Sequence, residues 1–150
     1  MKNDESIQSA VEQLSRPEVH LRVTLASSPE AALVICSRLP GVKQLVEAGS
    51  EAANTALQFL QTDDESMKSD SLSTIGLYLL HHINTPETKR VLAEAVVNDR
   101  FHGLNRDLAA SAFLQSTGDE PHGLDDDEGK LVTRAKQRAF KTLGQDKDQI

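Results

Sequence analysis

The chain has 150 residues, of which 38% are hydrophobic and only 3% aromatic, a composition that fits one domain, residues 1–150, with a core of small and aliphatic side chains. Its 23 acidic and 16 basic residues give a net charge of −7, which argues against nucleic-acid binding because phosphate contacts need clustered Lys and Arg. Cys36 is its one cysteine, and the sequence shows neither a signal-peptide pattern nor an apolar run long enough to span a membrane. We therefore expect a cytoplasmic protein that does not bind membranes.

The first segments already predict helices. Apolar residues recur at helical spacing along most of the chain, which indicates an almost all-α fold. A first helix is expected from Asp4 to Leu14 and ends before Pro17, so residues 1–17 would form an N-terminal cap helix. Residues 19–26 alternate like a strand, but a lone strand would lack a partner, and we therefore predict a second helix.

The third helix has the clearest start signal. Ser28 can cap the free amides of a helix, and Pro29 is tolerated in the first turn. The following run, residues 31–39, is apolar nearly all round, which predicts a helix buried on every side. Pro40 and Gly41 would stop it.

The stretch SDSLSTIGLYLLHHIN, residues 69–84, predicts the next long helix. Its apolar side chains follow the spacing of a buried stripe, and Ser, Thr, Tyr and His recur on another side. Gly76 lies in the apolar stripe, although glycine costs about 1 kcal/mol relative to alanine in a helix. We therefore expect a neighbouring helix to approach closely at Gly76.

The C-terminal part predicts three further helices. They start near Thr85 and Asn105 and, after a long acidic break, near Asp126. The last one is expected to end at Leu143, which would leave residues 144–150 as a disordered tail.

Two helix pairs can be superimposed in sequence at a shift of about 36 to 37 residues, which is typical of repeats that stack into a solenoid. The segments GSEAANTALQFLQTDDESMKSDSLSTIGLYLLHHIN, residues 49–84, and TPETKRVLAEAVVNDRFHGLNRDLAASAFLQSTGD, residues 85–119, resemble the HEAT-like repeat family. The resemblance implies a short α-solenoid of stacked antiparallel helix pairs. It covers about half of the chain well and concerns packing positions, so it implies a fold and no particular activity.

In such solenoids the second helix of each pair usually lines the concave face, which implies a partner-binding surface here. Its residues would be Ser71, Thr74, Tyr78 and His82 on one helix, and Leu108, Ser111 and Gln115 on the next. The shift would place Ser71 beside Leu108, Thr74 beside Ser111 and Tyr78 beside Gln115. Tyr78 is the strongest candidate, because an aromatic ring with a hydroxyl gives contact area at low entropic cost.

No pattern for chemistry or a cofactor emerges. The pair His81 and His82 is not followed by a carboxylate, and adjacent helical side chains point about 100° apart, so the two rings are poorly placed to share one metal ion. We expect one ring at the edge of the core and one in solvent, and Cys36 as a small core residue. We predict no cofactor, no metal and no catalytic residue.

Six acids precede the last predicted helix within ten residues. They are Asp119, Glu120, Asp125, Asp126, Asp127 and Glu128. They could form a solvated loop or a docking patch for a basic protein.

The sequence therefore predicts a non-enzymatic HEAT-like scaffold or adaptor that binds another protein. Two alternatives stay open. One is an acidic stoichiometric inhibitor, such as an immunity protein against a basic toxin or enzyme. The other is a divergent HEAT-like enzyme that depends on a metal or a chromophore.

Overall fold

The structure, a computed structural model, describes residues 2–60, 67–101, 103–117 and 130–148. Over these residues the chain forms α-helices and one short 3-10 helix, without any strand, so the predicted all-α class is confirmed. The α-helices are α1 (Lys2–Leu14), α2 (Pro17–Thr24), α3 (Pro29–Ser37), α4 (Pro40–Ala48), α5 (Ala53–Leu60), α6 (Met67–His82), α7 (Pro86–Val97), α8 (Leu104–Ser116) and α9 (Lys130–Asp148). The 3-10 helix Gly49–Ala52 joins α4 to α5.

Prolines begin four of these helices. Pro17, Pro29, Pro40 and Pro86 each lie in the first turn, where the missing amide hydrogen costs nothing and the fixed φ suits a helix. Pro40 was predicted to stop α3, and in the structure it is also the first residue of α4. The predicted cap of α3 is confirmed, since the Ser28 side chain accepts a hydrogen bond from the backbone amide of Ala31 at 3.1 Å.

The prediction that the third helix is buried on every side is wrong. Ala32 and Cys36 are fully buried, but Val34 on the opposite side is 49% exposed. The contacts of α3 are with α2, α4, α6 and α8, and these leave its outer side open. An apolar run alone does not reveal how many neighbours a helix has.

Helix α6 is the centre of the domain. It packs against α2, α3, α4, α5 and α8, and every residue from Ser71 to Leu80 except Tyr78 is buried. The close approach expected at Gly76 is confirmed. A Cβ atom at this position would lie 2.9 Å from Leu60 Cδ2 and 3.0 Å from the Ala56 carbonyl oxygen.

The C-terminal helices α7, α8 and α9 pack against one another. Helix α9 continues to Asp148, beyond the end predicted at Leu143. The predicted start of α9 near Asp126 lies outside the described residues. Of the helices that the structure describes, none combines the length and the apolar content needed to cross a membrane.

Candidate functional site

Polar side chains of α6 are hydrogen-bonded inside the domain to helices on either side. Toward the N-terminal part of the chain, His20 of α2 forms a hydrogen bond through Nδ1 with the Ser71 hydroxyl. Both residues are buried, with exposed fractions of 4% and 1%. Burial of such groups is tolerated when their hydrogen bonds are made within the protein.

Toward α8, the Thr74 hydroxyl donates to Asn105 Oδ1 at 2.6 Å. Two turns further along α6, the His81 ring contacts two groups. Its Nδ1 lies 2.8 Å from the Leu77 carbonyl oxygen, and its Nε2 lies 3.0 Å from the Ser111 hydroxyl. A carbonyl oxygen only accepts, so Nδ1 carries the proton and Nε2 accepts from Ser111. These contacts fix the His81 tautomer.

The environment of His81 keeps its ring neutral. Burial disfavours the imidazolium and lowers the pKa from 6.5 to about 4, and the nearby His82 acts in the same direction, although the bond to the Leu77 carbonyl opposes them. A serine hydroxyl that donates to a neutral imidazole is an arrangement known from activated nucleophiles. Here Ser111 is only 2% exposed, so a substrate would not reach its oxygen in this structure.

Four of the seven residues predicted on one solvated face are buried: Ser71, Thr74, Leu108 and Ser111. Their expected exposure is wrong, because α2 and α8 cover this side of α6 and satisfy its hydroxyls. In the structure these four are packing residues.

The predicted neighbours across α6 and α8 are also wrong in register. Thr74 pairs with Asn105, and Ser111 pairs with His81. The sequence separation is 31 positions for Thr74 and Asn105, 30 for the His81 ring and Ser111, and 34 for the His81 carbonyl and Gln115. The repeat predicted a separation of about 37. Partner numbers rise together along both helices, so α6 and α8 run parallel.

The three remaining residues of the predicted surface lie at one accessible edge. Tyr78 is partly buried and His82 is exposed, and their ring centroids are 4.9 Å apart with an interplanar angle of 53°. Gln115 of α8 is exposed and donates from Nε2 to the His81 carbonyl oxygen at 3.0 Å. Tyr78 contacts His82, and Gln115 is bonded to the backbone of the residue before His82; we call these three residues the α6–α8 edge.

Tyr78 packs against the core and keeps its hydroxyl protonated. Its ring packs against core residues, and burial, with a smaller contribution from Cys36, raises the pKa of the phenol above 10.0. The hydroxyl therefore remains a hydrogen-bond donor at neutral pH.

Cys36 is fully buried, as predicted, and burial raises the pKa of its thiol to about 12. A thiol that stays protonated is a poor nucleophile and a poor metal ligand. Within the described ranges, no three His, Cys, Asp or Glu side chains are grouped closely enough to hold a metal ion.

The acidic cluster is outside the described part of the chain. Asp119, Glu120 and the run from Asp125 to Glu128 all fall between residues 117 and 130. Its role as a docking patch stays a prediction.

Sequence reasoning missed the partners of the buried hydroxyls. His20 and Asn105 lie 51 and 31 positions from Ser71 and Thr74, and no local pattern connects such residues.

Comparisons with protein-family models, with curated proteins and with solved structures gave no match for this chain.

Proposed function

We propose that this chain is a non-enzymatic protein-interaction module with a HEAT-like solenoid arrangement, and that it binds a partner protein through the α6–α8 edge. The edge consists of Tyr78, His82 and Gln115. In this proposal the module acts as a scaffold or adaptor.

The helix packing supports the repeat arrangement. In a solenoid of helix pairs, the second helices of successive pairs lie side by side and run parallel. The hydrogen bonds from Thr74 to Asn105 and from Ser111 to His81 indicate this orientation for α6 and α8. Helix α7, which separates them in sequence, packs on α8.

One observation carries the proposed binding surface. Tyr78 is the only residue from Ser71 to Leu80 that the fold leaves partly exposed, and its aromatic ring contacts the ring of an exposed histidine at a tilted angle. Tyrosine is enriched among residues that dominate binding energy, particularly where its rotamer is fixed before binding. The packing of its ring against the core and against His82 provides this fixation.

Site-specific photocrosslinking in the native cell tests the proposal. A photoreactive phenylalanine analogue would replace Tyr78 in one sample and Gln58, an exposed polar residue of α5, in a matched control. We expect a discrete protein adduct from position 78 and none from position 58. An identical set of adducts from the two positions, or none from position 78, would refute binding at this edge.

A second measurement separates loss of binding from loss of folding. The double variant Tyr78→Ala with His82→Ala should lose most of the adduct formed through a crosslinker at Gln115, while its circular dichroism spectrum and cooperative thermal unfolding are retained. Washing the native complex with increasing salt then distinguishes the alternatives, because a complex of a basic toxin with an acidic inhibitor should dissociate as screening increases.

A further inference from the structure

Exposed hydrophobic side chains are concentrated on two neighbouring helices. Among the described residues, four large hydrophobic side chains are exposed, and three of them belong to α3, to α2 or to the C-cap of α2. Leu21 is 54% exposed, Leu25 79% and Val34 49%. Grouped exposure of this kind marks an interaction surface more often than single exposed residues do.

The charges on α3 follow an ordered pattern around its exposed valine. Glu30 and Val34 of α3 and Arg38, which caps its C-terminus, are four residues apart, so they form one row along the helix, and all three are exposed. From the N-terminus to the C-terminus, the row presents an acid, an apolar side chain and a base. Helix α2 repeats the order of charges with exposed Glu18 and Arg22 beside Leu21 and Leu25.

We propose that this α2–α3 surface binds the same surface of a second copy of the chain, forming an antiparallel two-fold homodimer. Two-fold symmetry requires a surface that is complementary to itself. When the α3 row is reversed, Glu30 lies opposite Arg38 of the partner subunit, and Val34 at the centre meets Val34 of the partner subunit.

Helix packing allows this contact. Rows of residues four apart lie alongside each other when two helices cross at about −50°, the commonest packing class in globular proteins. Leu21 and Leu25 expose further apolar area on α2, which packs against α3. The apolar side chains supply attraction, and the paired charges select the antiparallel orientation.

The balance of charge favours a second copy over a partner of one sign. A strongly basic partner would face Arg38 and Arg22, and a strongly acidic partner would face Glu30 and Glu18. Like charges across an interface are unfavourable. The second copy avoids both conflicts, since each acid meets a base.

Sedimentation velocity of the full chain, from about 1 μM to about 1 mM, tests the proposal. We expect a concentration-dependent dimer in the wild type. The single variants E30R and R38E should each weaken dimerisation roughly ten-fold, because two symmetry-related attractive pairs become repulsive. The double variant E30R/R38E should restore the wild-type dissociation constant, since the swap again places opposite charges together.

A matched control is E87R, which makes the same change in net charge at an exposed position on α7. It should leave dimerisation unchanged, and thermal unfolding of every variant would verify that it folds. A wild type that stays monomeric at about 1 mM refutes the proposal. So does a dimer that E30R does not weaken, or a double variant that stays as weak as the single ones. These outcomes leave binding at the α6–α8 edge untouched, because they concern different residues.

Discussion

Replacing Gly76 with alanine is the sharpest test of how closely α5 and α6 pack. The added Cβ would lie 2.9 Å from Leu60 Cδ2, 3.0 Å from the Ala56 carbonyl oxygen and 3.1 Å from Phe59 Cβ. Two of these three atoms, the Ala56 oxygen and Phe59 Cβ, cannot move unless the α5 backbone moves. Leu60 is only 1% exposed, so its side chain also has little space to rotate away.

Two opposing effects set the magnitude. Alanine gains about 1 kcal/mol over glycine in a helix interior, whereas forcing an extra methyl group into a packed core costs about 1 to 3 kcal/mol. Since backbone atoms oppose the new methyl at Gly76, we expect the steric cost to exceed the gain. The net loss in the free energy of unfolding should be up to about 2 kcal/mol, which lowers the melting temperature by up to about 8 °C for a chain of this size.

Gly144 of α9 provides the matched control. A Cβ there would meet no atom within 4 Å, so Gly144→Ala should receive the helix gain without the steric cost and raise the melting temperature by about 2 to 4 °C. Urea unfolding of both variants at one pH measures the difference directly. If both substitutions stabilise the protein, the close approach of α5 to Gly76 is wrong.

Two further predictions concern the hydrogen bonds of α6. The pKa of His81 falls from 6.5 to about 4 in the folded chain, so between these pH values the unfolded chain binds more protons than the folded chain. The free energy of unfolding should therefore decrease by up to about 3 kcal/mol as the pH falls from 6.5 to 4. Urea titrations at stepped pH should show this decrease in the wild type and a flatter profile in His81→Gln; equal profiles would contradict the neutral ring. Thr74→Val should cost about 1 to 3 kcal/mol, because it removes the buried hydrogen bond from Thr74 to Asn105 Oδ1, and differential scanning calorimetry that finds no loss would contradict that bond.

Local signals explain which parts of the fold the sequence predicted. Serine at position 28 and proline at position 29 specify a helix start through groups only three residues apart, and the apolar spacing of α6 identifies its buried side. Gly76 was informative because a helix tolerates glycine there only for a packing reason. Each of these signals depends on residues of the same helix or on the energetic cost of glycine in a helix.

The environment of the polar stripe could not be predicted in the same way. A small hydroxyl donates to and accepts from water or protein groups alike, so Ser71 and Thr74 suit a wet face and a buried contact equally. The choice is made by His20 and Asn105, which the fold brings from distant positions. The prediction that α3 is buried on every side failed for a related reason. Hydrophobicity does not reveal how many sides of a helix are covered, and Val34 remains exposed to solvent.

The buried polar contacts also determine what α6 presents outside. His81 is fixed toward α8 by Ser111, and adjacent helical side chains point about 100° apart, so His82 is turned toward solvent. Tyr78 lies one turn before His82 and contacts its ring, while Gln115 donates a hydrogen bond to the His81 carbonyl oxygen. The position of the proposed binding surface therefore depends on hydrogen bonds inside the domain. Tyr78, His82 and Gln115 stay at this edge, whereas the other four residues of the predicted surface are buried.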